Sequence, residues 1–301
     1  MTSTASKPRV SIGMPVYNRE KYVGAAIESN LNQTYDNFEL IITDNASTDR
    51  SEEICRFYAA KDPRVKYYRN PQNLGAAGNY RLAFELATGE FFRWHPSDDL
   101  ASPNLLERAI QILDQDPSIL VAYARTKLID GDGRVTGDFE EALHLMQDSP
   151  AERWIALSRN LRLGNLHYGL SRREILRRTG LLRNYTGGDF PLIAEMSLYG
   201  KFYEIPDAFF YRRMHPEAAH TLKDSKDLMA LFDPRKRNSL FLYNWMHLGA
   251  NLKSAARAPI PLAQKIRIFV YEGKRVFWSR KEFCNELVET VRFIGRKLIR
   301  S

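Results

Sequence analysis

Within the first 117 residues, strand-like apolar runs and helix-spaced stripes alternate four times, and each strand gives way to a polar loop. Val10-Ser11-Ile12-Gly13-Met14 reads as the first strand, closed by a Pro15-Val16-Tyr17-Asn18 turn, and Tyr22, Ala26, Ile27 and Leu31 fall on one helix face. Phe38 to Ile42 is a second strand, after which Asp49 and Glu52 predict a capping box for the helix carrying Ile54, Phe57 and Tyr58. Val65 to Tyr68 and Phe91 to Trp94 read as the next strands, with Tyr80, Ala83, Phe84 and Ala87 forming a helix stripe between them. Ser102 as cap and Pro103 at the first helical position open a further helix through Leu106, Ile110 and Leu113, which stops at Asp116-Pro117. This alternation predicts an α/β fold with a mostly parallel central sheet flanked by helices, whose ligands sit beyond the carboxyl ends of the strands. Those ends are the polar loops.

Beyond residue 117 the pattern loosens. Leu120 to Ile129 and Arg134-Val135 around Asp130-Gly131-Asp132-Gly133 predict a hairpin. Trp154 to Leu161, Arg172 to Arg178 and Phe190 to Tyr199 read as helical, whereas Asn165 to Leu170 and Lys201 to Ile205 read as extended. Gly137 to Asp148, polar and set between better-defined elements, reads as a mobile lid.

Charge excludes one obvious partner. The net charge of +8 resides in residues 251–301, which hold 12 Lys/Arg against 4 Asp/Glu, while the preceding 250 residues balance at 32 of each. The basic residues are not interleaved on an aromatic strand surface, so no nucleic-acid partner is expected. With 44% apolar and 27% charged residues the chain is an ordinary globular protein rather than a disordered one. Cys55 and Cys284 form no metal or redox spacing, and no apolar leader or run of eighteen apolar residues occurs, so a cytoplasmic location is expected.

Three constellations sit at strand ends or helix starts. Asp98-Asp99 offers hard oxygens suited to Mg²⁺ or Mn²⁺, which keep waters and share a substrate diphosphate, although a solvated loop would look the same. Asp44-Asn45-Ala46-Ser47-Thr48-Asp49 places a carboxylate where it can accept from a base N–H; Asp44 lies too early to be the helix cap. Asp189, after Gly187-Gly188, is either a helix-start acid or a general base facing the cleft. Asn73-Leu74-Gly75 with Ala76-Ala77-Gly78-Asn79 opens a helix with small residues that let backbone approach a phosphate or pack tightly under the sheet. The chain has no G-x-G-x-x-G, P-loop, H-E-x-x-H or G-x-S-x-G pattern, which removes the main support for dinucleotide oxidoreductases, P-loop NTPases, zincins and serine hydrolases.

Taken in order, Pro15-Val16-Tyr17-Asn18, Asp44 to Asp49, Asn73-Leu74-Gly75, Gly89-Glu90, Ser97-Asp98-Asp99 and Gly188-Asp189 closely resemble family 2 glycosyltransferases over about residues 8–215. The resemblance implies a GT-A fold, a nucleotide-sugar donor, a Mn²⁺ or Mg²⁺ ion on its diphosphate, and inversion at the anomeric carbon. It implies a glycosyltransferase domain over 1–225, with a Rossmann-like donor half at 8–132 and an acceptor half at 133–225, followed by a basic helical extension over 226–301. Pro15, Val16, Tyr17 and Asn18 would line the nucleoside pocket, with Asn45, Asn73, Gly75, Asn79 and Ser97 beside them. Asp44 would pair with the base N3–H, favouring UDP- or dTDP-sugars. Asp98 would contact ribose or metal, Asp99 and His215 the metal, Arg212 the donor phosphates, and Asp189 would be the catalytic base. The acceptor would be a glycan or a lipid-linked molecule of cell-surface polysaccharide synthesis. Two positions depart from the pattern: the usual Asp two before Asp98 is Pro96, so ribose contact must come from elsewhere, and the usual Glu before the base is Gly188.

Rival readings are a nucleotidyltransferase, whose Gly-rich loop is replaced here by Met14-Pro15-Val16-Tyr17-Asn18, and a catalytically degenerate scaffold, which Pro96 would suit. In the last segment Leu287, Val291, Ile294 and Leu298 share one helix face while Arg292, Arg296, Lys297 and Arg300 occupy another. That pattern fits an anionic membrane surface, at the inner face of the plasma membrane, or docking on the catalytic domain or a partner chain.

Overall fold

A computed structural model describes residues 7–141, 143–216, 232 and 242–298, with side chains of the last helix followed to Arg292. The expected boundary at 225/226, the side chains of Ile294, Arg296, Lys297 and Leu298, and all of Arg300 lie outside what is described.

The first half builds itself in sequence order. Strands β1 (Val10–Val16), β2 (Phe38–Asp44), β3 (Val65–Arg69) and β4 (Phe91–Trp94) are joined by helices α1 (Val23–Leu31), α2 (Ser51–Lys61) and α3 (Gly75–Glu85). All four lie parallel, in the order β3-β2-β1-β4. Strands β1 and β2 are buried along their whole length because helices cover both faces of the sheet. Alternation sorts side chains between those faces: Phe91 joins Ile12, Met14 and Leu40 in one apolar layer, and Phe92 joins Ile41 and Trp94 in the other.

The second half extends the sheet by different means. β5 (Leu100–Ala101), α4 (Leu105–Gln115), β6 (Ile119–Ile129), β7 (Val135–Phe139), α5 (Pro150–Asn160), a 3₁₀ turn (Asn165–Tyr168), β8 (Leu170–Arg172), α6 (Arg173–Arg177), α7 (Asp189–Tyr199) and β9 (Lys201–Arg213) follow. The whole sheet runs β3-β2-β1-β4-β8-β6-β9-β5, with β7 paired to β6. β8 is antiparallel to both neighbours, and β6 and β9 are parallel. Their register jumps where Ala124 pairs Ile205 and Arg125 pairs Phe209, so β9 bends around Pro206-Asp207-Ala208 and returns to pair β5. That bend carries the end of β9 back to Asp98 and Asp99.

Local details differ from expectation. Pro15 and Val16 belong to β1 rather than to a turn. The capping box fails because Glu52 pairs with Arg56 and Arg69, although Asp49 still accepts the Ser51 N–H at 3.0 Å. Helix α4 starts at Leu105 rather than Pro103, because Ser102 is occupied in accepting the Phe209 N–H and donating to Asn104. Asn165 to Tyr168 forms a 3₁₀ turn after Gly164, which holds φ 68°, so only the end of the expected extended stretch is strand. The segment 137–148 is anchored: its start pairs with β6, Leu143 and Leu145 are buried, and Leu145 bridges Phe202. An open lid is therefore not its form.

Helices α8 (Tyr243–Arg257), α9 (Leu262–Trp278) and α10 (Arg280–Leu298) make the extension. Glu272 on α9, 1% exposed, accepts the Trp154 indole N–H at 3.0 Å, and Arg257 on α8 reaches buried Glu195 at 3.3 Å. The extension is thus docked on α5 and α7. Among the described residues no helix is long and apolar enough to cross a membrane.

Candidate active site

Because β1, β2 and β4 are parallel neighbours, the loops after them converge on one edge of the sheet. Asp44 anchors the loop after β2 and is wholly buried. Its Oδ1 accepts the Ser47 N–H at 2.9 Å, and its Oδ2 accepts the Tyr67 hydroxyl and an Arg69 N–H, both at 2.7 Å. A carboxylate offers about four acceptor positions, which leaves room on Oδ1 for one more donor. Asn18, at φ 51°, locks the loop after β1 onto this one: its N–H donates to Ser47 Oγ at 3.0 Å and its Oδ1 accepts the Thr48 N–H at 2.8 Å. Tyr17 beside it is 39% exposed.

Behind these loops lies a buried amide network. Asn45 Nδ2 donates to Asn73 Oδ1 at 2.8 Å, while Asn45 Oδ1 accepts from Asn70 Nδ2 at 3.1 Å and the Leu74 N–H at 2.8 Å. Asn79 Nδ2 donates to the Thr43 carbonyl at 2.8 Å and its Oδ1 accepts from Asn70 at 3.0 Å. Asn73 Oδ1 also accepts the N–H of Gly75, whose φ of 75° favours glycine. Val16, Asn45 and Asn79, expected against the donor, therefore spend their side chains inside the protein and shape the pocket through the backbone they hold. Pro15 and Ser97 are buried with them.

The loop after β4 carries the acids, and the end of β9 meets it. Asp98 Oδ2 accepts from Arg19 Nε at 3.1 Å and lies 3.2 Å from His215 Nε2. Asp99, 6% exposed, turns inward, where its Oδ1 accepts the Arg213 N–H at 2.7 Å. Arg213 Nε donates in turn to the Asp98 carbonyl at 2.7 Å, fixing the loop to β9. Burial pushes the Asp98 carboxyl up, but the His215 hydrogen bond and the Arg19 charge outweigh it and hold Asp98 below the usual carboxylate range. Burial and then the charge of Asp98 push Asp99 well above that range.

Asp189 is the first residue of α7, after Gly188 at the cap position, and a Cβ added at Gly164 would lie 3.4 Å from its Oδ2. Tyr80 and Tyr168 link it to the other acids. Burial pushes both hydroxyls up; Asp98, Asp99 and Asp189 all add to the effect at Tyr80, and Asp99 and Asp189 add to it at Tyr168. Arg212 acts electrostatically on Asp99, His167 and Tyr168, and its guanidinium donates to buried Asn165 Oδ1. Asp98, Asp99 and Asp189 thus lie near Tyr80, and Asp99, Arg212 and Asp189 near Tyr168.

The residues that could hold a divalent cation are Asp98 and His215. A carboxylate oxygen beside an imidazole suits Mn²⁺ or Mg²⁺ with the remaining positions filled by diphosphate and water. Among the described residues His215 Nδ1 is buried with no hydrogen-bond partner, and the Tyr22 ring packs on the imidazole with centroids 4.6 Å apart. Among the described residues no group of three or more His, Cys, Asp or Glu side chains is gathered for a metal. Asp99, expected as a ligand, has its Oδ1 engaged by the Arg213 N–H.

A family model described as Glycosyl transferase family 2 matches residues 11–180, more than half of the chain. The chain belongs to glycosyl transferase family 2. An uncharacterized glycosyltransferase of Haemophilus influenzae is 40% identical over 113 residues, which cover 38% of this chain and 45% of that protein. The chain spans about half the length, or less, of the first curated relatives it matches, with 45%, 49% and 40% covered. Residues 1–349 of Staphylococcus aureus TarS, solved with UDP, have a TM-score of 0.65 at 19% identity, covering 89% of this chain and 72% of that fragment; the fragment is also solved with UDP-GlcNAc. A Pyrobaculum calidifontis mannosyltransferase in complex with GDP-Man and Mn²⁺ has a TM-score of 0.54 at 15% identity, covering 97% of this chain and 89% of that one. Similarity at this identity establishes the GT-A fold.

As a family 2 chain, the protein shows why Gly188 departs from the usual acid. A Cβ at Gly188 would lie 2.3 Å from the Arg183 carbonyl oxygen, so no side chain fits in this turn. Several participants escaped the sequence reading. Arg19 follows the Tyr17-Asn18 turn directly, and its charge beside an acidic loop was the available signal. Tyr80 was legible only as part of a core stripe, and Tyr168, Asn165 and Arg213 carried no motif.

Proposed function

We propose that the protein is an inverting glycosyltransferase that moves a sugar from a UDP- or dTDP-sugar to an acceptor hydroxyl of a glycan or lipid-carried molecule in cell-surface polysaccharide synthesis. The observation that carries this reading is the nearness of Asp98, Asp99 and Asp189 to Tyr80 and of Arg212, Asp99 and Asp189 to Tyr168, with His215 Nε2 3.2 Å from Asp98 Oδ2. The nucleoside would sit against Tyr17, with its base N–H on the free position of Asp44. TarS, with the same fold, binds UDP and UDP-GlcNAc, which favours a uridine donor. Asp98 and His215 would hold a divalent cation on the donor diphosphate, as the Mn²⁺ complex of the mannosyltransferase suggests. Bound there, the cation supplies neutralisation of charge growing on the departing diphosphate.

The protein's own residues do the rest. Asp189 takes the proton of the acceptor oxygen as that oxygen attacks the anomeric carbon, and the bond to the diphosphate oxygen breaks on the opposite side. Arg212 stabilises the leaving diphosphate electrostatically. No covalent intermediate is needed. Arg19 holds Asp98 until the donor arrives, which keeps that carboxylate ionised in the empty cleft.

The test is Asp189→Asn. Transfer falls by about 10²–10⁴-fold, the scale of a lost general base, while the thermal stabilisation given by the donor persists. Unchanged transfer in that variant would remove Asp189 from the mechanism. A chain with intact donor binding and no transfer or donor hydrolysis in the wild type would favour the degenerate scaffold.

A further inference from the structure

Helix α9 is amphipathic in two directions. One face, with Ile268, Tyr271 and Glu272, is buried against the rest of the protein. The opposite face presents Leu262, Ile266, Phe269, Val270 and Phe277 to solvent, at 71%, 52%, 37%, 53% and 65% exposure. At about 100° per residue these five fall within an arc of roughly 100°, so they form a continuous stripe. Gly273 lies within it, with nothing within 4 Å of an added Cβ. Isolated exposed apolar residues are ordinary, but a continuous stripe along a 17-residue helix is not.

The borders of the stripe are cationic. Lys265 flanks one side and Lys274 the other, beside Arg267, which pairs with Glu152 of α5 at 3.4 Å, while the single acid of α9, Glu272, is buried and bonded to Trp154 and Arg275. At the end of the helix Trp278 is 59% exposed and the Arg280 guanidinium lies 4.9 Å from the Phe277 ring centroid. An apolar stripe bordered by lysines and ended by an exposed tryptophan matches the interface of a bilayer, where the long cationic side chains reach the headgroups. A second copy of the chain would instead bring like charges together at both borders.

We infer that α9 is a membrane-contact helix that lies in the plane of an anionic bilayer, with Leu262, Ile266, Phe269, Val270 and Phe277 among the acyl chains. The contact belongs to the exposed face of α9, upstream of the C-terminal segment that the sequence alone points to. It is independent of the identity of the donor.

The test is co-sedimentation of the full chain with vesicles of phosphatidylcholine alone and with one quarter phosphatidylglycerol. The wild type binds the anionic vesicles more tightly, and added salt weakens that binding. Val270→Asp with Phe277→Asp reduces it by about tenfold or more, and Lys265→Ala with Lys274→Ala reduces only the anionic preference. Both variants keep the donor-induced thermal stabilisation, which separates lost membrane contact from lost folding or lost catalysis. Anionic-vesicle binding that survives Val270→Asp with Phe277→Asp would overturn the inference. So would a wild-type chain that ignores vesicles but forms a dimer abolished by the same pair of substitutions, since a second copy would then cover the stripe.

Discussion

Strands β1 to β4 follow one another through single helical crossovers and end beside one another, whereas β6, β8 and β9 reach the same sheet through an antiparallel insertion, a 3₁₀ turn and a bent strand. The first half is fixed by side-chain amides: Asn45, Asn70, Asn73 and Asn79 bind the strand-end loops to each other. The acceptor side gains its form from side-chain docking, as in Trp154 to Glu272 and Arg257 to Glu195. The two constructions meet at Asp98, Asp99 and the end of β9, and again where β4 pairs β8.

The largest expected effect lies where the halves meet. Asp98→Asn lowers transfer by about 10²–10³-fold, the scale for one electrostatic group at a reacting centre, and abolishes the cation-dependent part of donor stabilisation. Kinetics with and without chelator read both. Next comes Asn79→Leu, which strips donors from the Thr43 and Val16 carbonyls and an acceptor from Asn70. It destabilises the fold by about 2–3 kcal/mol and weakens the donor response, measured by urea unfolding and thermal shift. Trp154→Phe, on the other side, removes one hydrogen bond to buried Glu272 and costs about 1–2 kcal/mol with the donor response unchanged. A donor response that fails in Trp154→Phe but survives in Asn79→Leu would break the comparison.

The smallest effect is a pH dependence on the donor side. Burial pushes Glu39 up, but hydrogen bonds from Lys66, Ser11 and Thr88 outweigh it and hold its carboxyl below the ordinary 4.5. A carboxyl lower in the folded state than in the unfolded chain adds stability above about 4.5, and that contribution is lost as pH falls through the folded value. Unfolding at decreasing pH should therefore show a steeper acid loss in the wild type than in Glu39→Gln.

The legible parts of the sequence were those where one local rule governs. Periodicity marked β1, β2 and β4 because each is buried along its length, and the acids Asp44 and Asp189 stood out because one ends a strand and the other opens a helix. What escaped depended on distant partners. The bend in β9, which delivers Arg213 to Asp99, has no local signal, because it is set by register against β6. Likewise Asn45 and Asn79 look like ligand-facing amides, and only three-dimensional contact shows that their hydrogen bonds are already made. The stripe on α9 was visible as apolar residues, but the sequence could not say which face the protein would cover.

The account rests on a nucleotide-sugar site completed by Asp98 and His215. The most direct measurement is the thermal stability of the full chain against UDP-, dTDP-, GDP- and ADP-sugars, with Mn²⁺ and with chelator, in the wild type and in His215→Ala. A donor that binds the folded state raises stability by mass action. The account predicts a rise for a uridine or thymidine donor that chelator reduces and that His215→Ala loses in its Mn²⁺-dependent part. No response to any nucleotide sugar, or a rise indifferent to both chelator and His215→Ala, would contradict it.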